Sequence, residues 1–258
     1  RQIGILFGLS GRTPFDGADG WRELRDSPLE EKVERFNDLS SRAKLLESAE
    51  QYFQYLPLDW NNFFPLPDNP VRHDLGPDES LGSIAEQRGV SVVEAWIDIA
   101  LEMNGRRVFT LPFLNQKMEE AVEMIQRPYV VMGLADAGAH ARQIMDASQP
   151  TFFLTHWVRD RGMFTIEEAI RRLTSDTADL FGIKNRGRLI PGSKADVNVI
   201  DFDGLALHYP EMTHDFPGGA GRWTQRADGY DTTIVNGQIY MESGHHSGAL
   251  VGEMLRYQ

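Results

Sequence analysis

The sequence contains no cysteine in 258 residues, which excludes disulfide scaffolds and thiolate metal sites and leaves the redox compartment unspecified. It also has no apolar run near the ~18 residues that a membrane span requires. The best candidate, Ile3 to Leu9, is broken by Gly4 and Gly8. Positive charge is scarce: 26 Lys+Arg against 38 Asp+Glu give a net charge of −12, which argues against a nucleic acid or an anionic membrane as the main partner. An anionic small molecule held by a few local cations remains compatible. There is no internal repeat, no low-complexity tract, no Gly-rich phosphate loop and no Gly-x-Ser-x-Gly elbow, so nucleotide and serine-hydrolase readings are weak. The sequence reads as having no signal peptide ahead of its opening apolar segment, and a cytoplasmic localisation is the expectation. A chain that enters a core element directly at Gln2 reads as the remainder of a longer one.

What is present is an ordinary packed composition, 41% hydrophobic and 25% charged, which excludes disorder. Ile3 to Leu9 reads as a buried strand. Pro28 to Glu50 reads as one amphipathic helix, with Val33, Phe36, Leu39, Leu45 and Leu46 at helical intervals. Leu56 to Pro77 carries five prolines among Trp60, Phe63 and Phe64, which predicts a loop held by aromatic packing, or a lid. From Ser80 the pattern alternates. Two helices split at Gly89, a strand over Arg107 to Phe113, a helix over Asn115 to Gln126, a doubly buried strand over Tyr129 to Ala135, and a helix over Thr165 to Phe181 closed by Gly182 are expected. Beyond Gly187 the chain becomes β-rich, with strands over Ala195 to Phe202 and Thr232 to Tyr240 and a hairpin signal at Asn236-Gly237.

Chemistry concentrates around Asp136, which follows the expected buried strand and precedes Ala137-Gly138-Ala139-His140. Ligands bind at the carboxyl ends of parallel strands, so a carboxylate there suits an acid, a base or a metal ligand. A helix N-cap role is equally compatible. His140 would share a face with Asp136 if the segment between them coiled into a helical turn; a structural, hydrogen-bonded histidine is the plainer reading. His156, Arg159 and Arg161 form a third group. An arginine fork matches a carboxylate, whereas pairing of Arg159 and Arg161 with Asp146, Asp160 or Glu167 is the alternative. No two of the seven histidines stand at the i, i+2 or i, i+4 spacing of a zinc site.

Two stretches carry a family resemblance. Gly133-Leu134-Ala135-Asp136-Ala137-Gly138-Ala139-His140 resembles the last-strand motif of the amidohydrolase superfamily, and Gly187-Arg188-Leu189-Ile190-Pro191-Gly192-Ser193-Lys194-Ala195-Asp196 resembles the segment where those enzymes leave the barrel for a β-sandwich. Pro217-Gly218-Gly219-Ala220 and Thr233-Ile234-Val235-Asn236-Gly237 are similar to the N-acyl-D-amino-acid deacylase, or D-aminoacylase, branch.

The resemblance implies an α/β fold: the carboxyl-terminal part of a (β/α)8 barrel over residues 1–186, with a lid-like insertion over about 10–80, and a β-sandwich portion over 187–258. It implies a zinc-dependent hydrolase of linear amides acting on a small N-acyl amino acid. A metal polarises the amide carbonyl and acidifies its bound water, and a neighbouring carboxylate moves the proton to the leaving nitrogen. Asp136 matches that carboxylate, with metal contact as a second role; Arg159, His140 and His156 are the substrate-binding candidates. A cyclic-amide hydrolase of the hydantoinase or dihydroorotase kind and a non-catalytic remnant are the alternatives. The family's His-x-His pair and later histidine ligands have no counterpart in residues 1–258, so an amino-terminal half of the same enzyme is the expected partner. Alone, the fragment is expected to bind no catalytic zinc and to turn over no substrate. Homo-oligomerisation is compatible with the sequence.

Overall fold

The computed structural model describes residues 2–55, 58–133, 138 and 140–255. Strands β1 (Ile3–Phe7), β2 (Phe64–Pro65) and β3 (Phe109–Leu114) form a sheet of order β1-β3-β2 in which both pairings are antiparallel. Helices pack on it around an aromatic core. Trp96 stacks on Phe109 at 5.1 Å and meets the Phe15 edge at 5.5 Å, while Trp60 and Phe63 lie 5.1 Å apart. The proline-rich loop is therefore held by aromatic packing, because Trp60, Phe63 and Phe64 are all buried in it.

The helix expected over Pro28 to Glu50 is two helices, Leu29–Asn37 and Leu39–Phe53. Asp38 separates them with an extended backbone, and its carboxylate accepts from the Ser41 N–H at 2.8 Å, so an N-cap wins over continuous helical periodicity. The next pair, Leu81–Arg88 and Val92–Ala100, breaks at Gly89 as the spacing predicts. Gly89 is left-handed (φ 67°), and Ser80 and Ser91 cap the two starts.

After the helix Met118–Ile125, the segment expected as a buried strand diverges: Tyr129 to Gly133 is irregular, Tyr129 is exposed, and the remainder of that segment lies outside the described residues. A strand buried on both faces needs pairing neighbours, and Tyr129 to Gly133 has none among the described residues. Among the described residues no parallel pair forms, so the expected parallel barrel staves are absent from them. What the chain shows is a mixture of helices and antiparallel sheets.

An element with no clear sequence signal follows: the helix Gln149–Phe152 runs into a π-helix, Phe153–Asp160. Its inner face, Phe152, Phe153, Leu154 and Trp157, builds a second core with Val122, Phe164, Ala169 and Leu205. The helix expected over Thr165 to Phe181 is broken at Thr174 into Ile166–Leu173 and Ser175–Leu180, and Gly182 ends it with positive φ.

Beyond Gly187, β4 (Val197–Ile200), β9 (Tyr230–Val235), β10 (Gln238–Glu242) and β11 (His245–His246) form one antiparallel sheet of order β11-β10-β9-β4. Asn236 and Gly237 have φ of 50° and 80°, the left-handed pair that a two-residue hairpin demands. The crossing between β4 and β9 contains two ribbons: β5 (Ala206–Leu207) with β8 (Ala227–Asp228), and β6 (Glu211–Thr213) with β7 (Arg222–Thr224). No second sheet of matching size faces the four-stranded one among the described residues, and Val199, Ile239 and Tyr240 on it are exposed. No described helix is long and apolar enough to cross a membrane.

Candidate active-site region

Asp136 lies outside the described residues. The described residues nearest to it are Gly133, Gly138 and His140. Downstream, His140 adopts a left-handed conformation (φ 48°), and its carbonyl accepts from Gln143 N and Ile144 N at 2.6 and 3.0 Å, which closes a tight turn; the helical turn that the spacing allows between Asp136 and His140 lies outside the described residues. Two long-range bonds hold that turn. Leu6 N in β1 donates to Gln143 O at 2.7 Å, and Trp223 N in β7 donates to Ala141 O at 3.0 Å. The His140 side chain is exposed, whereas Ile144, Met145 and Asp146 turn inward.

Upstream, Val131, Met132 and Gly133 line a cavity of about 180 Å³ that is closed by Met124, Phe152 and Trp157. Asp146, 1% exposed, stands on its wall. The cavity is mainly apolar with one buried carboxylate, the composition of a small-molecule pocket. In the sequence Asp146 reads only as a partner for surface arginines. Its one further signal is its place just before a helix, which reads equally as a cap.

His156 is buried in the π-helix, stacked on Phe152 at 4.7 Å and edge-on to Trp157 at 4.4 Å. Nδ1 lies 3.8 Å from the Asp74 carboxylate, and Nε2 is shielded without a partner among the described residues. Burial pushes its pKa below the ordinary histidine value, with Asp74 opposing and Arg161 assisting. His156 thus backs the cavity wall through Phe152 and Trp157.

Arg159 has a different occupation. Its Nη1 donates to Leu205 O at 2.7 Å and Asp203 O at 3.3 Å, and Nε donates to Asp160 at 3.0 Å. The guanidinium holds the turn after β4 and does not line the cavity. Arg161 pairs with Glu119 at 2.6 Å instead of the carboxylates nearer to it in sequence, and lies 5.7 Å over the Trp157 ring. His140, His156 and Arg159 are therefore not brought to one point.

Among the described residues no group of three or more His, Asp or Glu side chains is placed to hold a metal ion. The zinc implied by the resemblance does not fit these residues, and no chemical step through a metal follows from them.

The model of the amidohydrolase family matches residues 88–241, more than half of the chain, and spans Asp136 and most of the cavity wall. The chain belongs to the amidohydrolase family. It is 32% identical over 187 residues to an uncharacterized protein of Mycobacterium tuberculosis, covering 67% of this chain and 30% of that one. It is 34% identical over 102 residues to a D-aminoacylase of Alcaligenes xylosoxydans xylosoxydans, covering 38% of this chain and 19% of the relative. Among solved structures, a D-aminoacylase variant in complex with copper chloride matches at 24% identity with a TM-score of 0.44, over 69% of this chain and 34% of that chain. The chain thus spans a third or less of the length of the curated relatives it matches.

Proposed function

We propose that this chain is part of a metal-dependent hydrolase that cleaves the linear amide of N-acyl-D-amino acids to a carboxylate and a free D-amino acid. In this reading residues 1–186 belong to the (β/α)8 barrel body and 187–258 to the β-sandwich portion. The zinc ligands come from polypeptide of the same enzyme outside residues 1–258. The observation that carries the reading is the amidohydrolase family match across residues 88–241, which includes Asp136. The D-aminoacylase similarity directs it to linear amides.

Asp136 takes the proton of the attacking water and delivers it to the leaving nitrogen. An aspartate suits this because its ordinary pKa leaves it ionised at neutral pH and ready to accept. His140, four residues on and exposed, is the substrate-binding candidate nearest to it in sequence. His156 acts from behind the apolar wall, and Arg159 by fixing the turn at Asp203 and Leu205.

The test uses the full enzyme that contains this chain, with a panel of N-acetyl-D-amino acids, their L-enantiomers and hydantoins. Replacing Asp136→Asn is expected to lower turnover of the D-substrates by about 10²–10⁴-fold with circular dichroism unchanged. An unchanged rate would remove the catalytic reading, and preferential opening of hydantoins would move it to cyclic amides. Metal analysis of residues 1–258 purified without chelator is expected to find no stoichiometric zinc; retained zinc would refute the placement of the ligands.

A further inference from the structure

Among the described residues Arg172 is the only buried arginine, 6% exposed on the helix Ile166–Leu173. Glu168, one turn earlier, accepts from its Nε at 3.1 Å and from Nη2 at 3.0 Å. The rest of the guanidinium reaches across the chain. Nη1 donates to Ile125 O at 2.8 Å and to Val130 O at 3.5 Å, and Nη2 donates to Gln126 O at 3.5 Å. Its Cζ lies over the Phe164 ring at 5.3 Å.

Those three carbonyls belong to one turn. Ile125 ends the helix Met118–Ile125, whose last carbonyls have no partner within the helix, and Gln126, Arg127 and Pro128 follow it with no glycine to cap it. Val130 begins the segment Val130 to Gly133 that borders the cavity of about 180 Å³, and Ile125 borders the same cavity. Arg172 therefore ties the end of the helix to the start of the cavity wall, and it does so from behind the wall, since it does not line the cavity itself. Asp136 is three residues beyond Gly133 in the sequence. A buried ion pair is a costly way to end a helix, because well-packed apolar residues commonly serve stability as well or better. What a guanidinium adds is direction: its planar donors hold several acceptors at set angles.

We propose, resting on the assignment of proton transfer to Asp136 above, that Arg172 is a positioning residue of the hydrolase reaction. By holding Ile125 O and Val130 O together it sets the course of the segment that leads to Asp136. Arg172 acts through the backbone of that turn and not by contact with substrate. Misplacing a reacting group by about 1 Å costs up to about 10²-fold in rate, so loss of the fork is read in turnover, apart from any loss of stability.

The experiment uses the full enzyme that contains this chain and the N-acetyl-D-amino acid that the parent hydrolyses fastest. Both kcat and KM are measured per folded, metal-loaded enzyme, with the folded fraction taken from circular dichroism and the metal from elemental analysis. Arg172→Met is expected to lower kcat by about ten- to a hundredfold with KM within about threefold of the parent. Arg172→Lys keeps a charge beside Glu168 but not the fork; it recovers part of the loss, and it carries the test should Arg172→Met fail to fold. Arg171→Gln, which removes an exposed pair with Asp176 on the same helix, leaves kcat unchanged. Amide hydrogen exchange over residues 125–133, measured without substrate, rises in the Arg172 variants and not in Arg171→Gln. A parent that hydrolyses none of the panel would remove the hydrolase reading, and this proposal with it. With an active parent, kcat within about twofold in every folded Arg172 variant, or a loss confined to KM, would overturn the positioning role alone.

Discussion

The Tyr209 hydroxyl accepts a hydrogen bond from the Val108 backbone N–H at 2.7 Å, joining residues that lie on opposite sides of the family's signature motif. Val108 is fully buried at the entrance to β3, and Tyr209 belongs to the long crossing between β4 and β9. This bond fastens the β-rich part of the chain to the start of the central strand of the first sheet.

Replacing Tyr209→Phe removes the acceptor and leaves a buried amide unsatisfied. The expected loss of stability is about 1–3 kcal/mol, larger than the net worth of an ordinary hydrogen bond, because the N–H cannot turn to water. Urea unfolding checks this: the midpoint falls at constant slope.

Arg159 is expected to behave as a structural tie. Arg159→Ala frees the carbonyls of Asp203 and Leu205, and amide hydrogen exchange in the turn after β4 rises while the first core remains protected. Arg159→Lys restores protection only in part, since one ammonium cannot span the carbonyls that a guanidinium fork reaches. Unaltered exchange there would show that other contacts hold the turn.

His156 gives the protein a pH-dependent stability of defined sign. Its folded pKa lies below the unfolded value of 6.5, so between the two the unfolded chain binds more protons, and stability rises with pH across that window. The contribution is complete above about 6.5 and is lost as pH falls towards the folded value. Denaturation midpoints measured from pH 5 to 8 should show this slope in the parent and a reduced one in His156→Gln. The imidazole proton resonances should titrate below the ordinary range.

Phe109 is fully buried and stacked on Trp96 while also touching Phe63 at 5.7 Å. Phe109→Ala is expected to destabilise by about 3–5 kcal/mol through the lost transfer energy and the cavity left among rings that cannot collapse. Thermal unfolding measures it. Phe113→Ala, on the exposed end of the same strand, serves as the mild control.

Several of these elements are legible in the residue order alone. The breaks at Gly89 and Gly182, the Asn236-Gly237 hairpin and the aromatic packing of the proline-rich loop follow from residue types acting on their own neighbours. The split at Asp38 is readable in principle, since an aspartate before Leu-Ser-Ser is an N-cap, but the hydrophobic spacing runs through it and masks the signal. The π-helix has no local signal at all. His156 and Arg159 stand out in the sequence as unusual residues, yet their neighbours along the chain do not include Asp74, Asp203 or Leu205, the groups that define what they do.

By itself the sequence determined the family, the caps and turns, and the balance of charge, because each depends on residue identity over a few positions. Tertiary structure alone decided that Val130 to Gly133 borders a cavity rather than filling a sheet, and that Arg159 is spent on backbone carbonyls. It alone also buried the Lys32 ammonium against the carbonyls of Leu9 and Arg25. These outcomes depend on which distant groups arrive at the same place, and desolvation there sets the value of every charge.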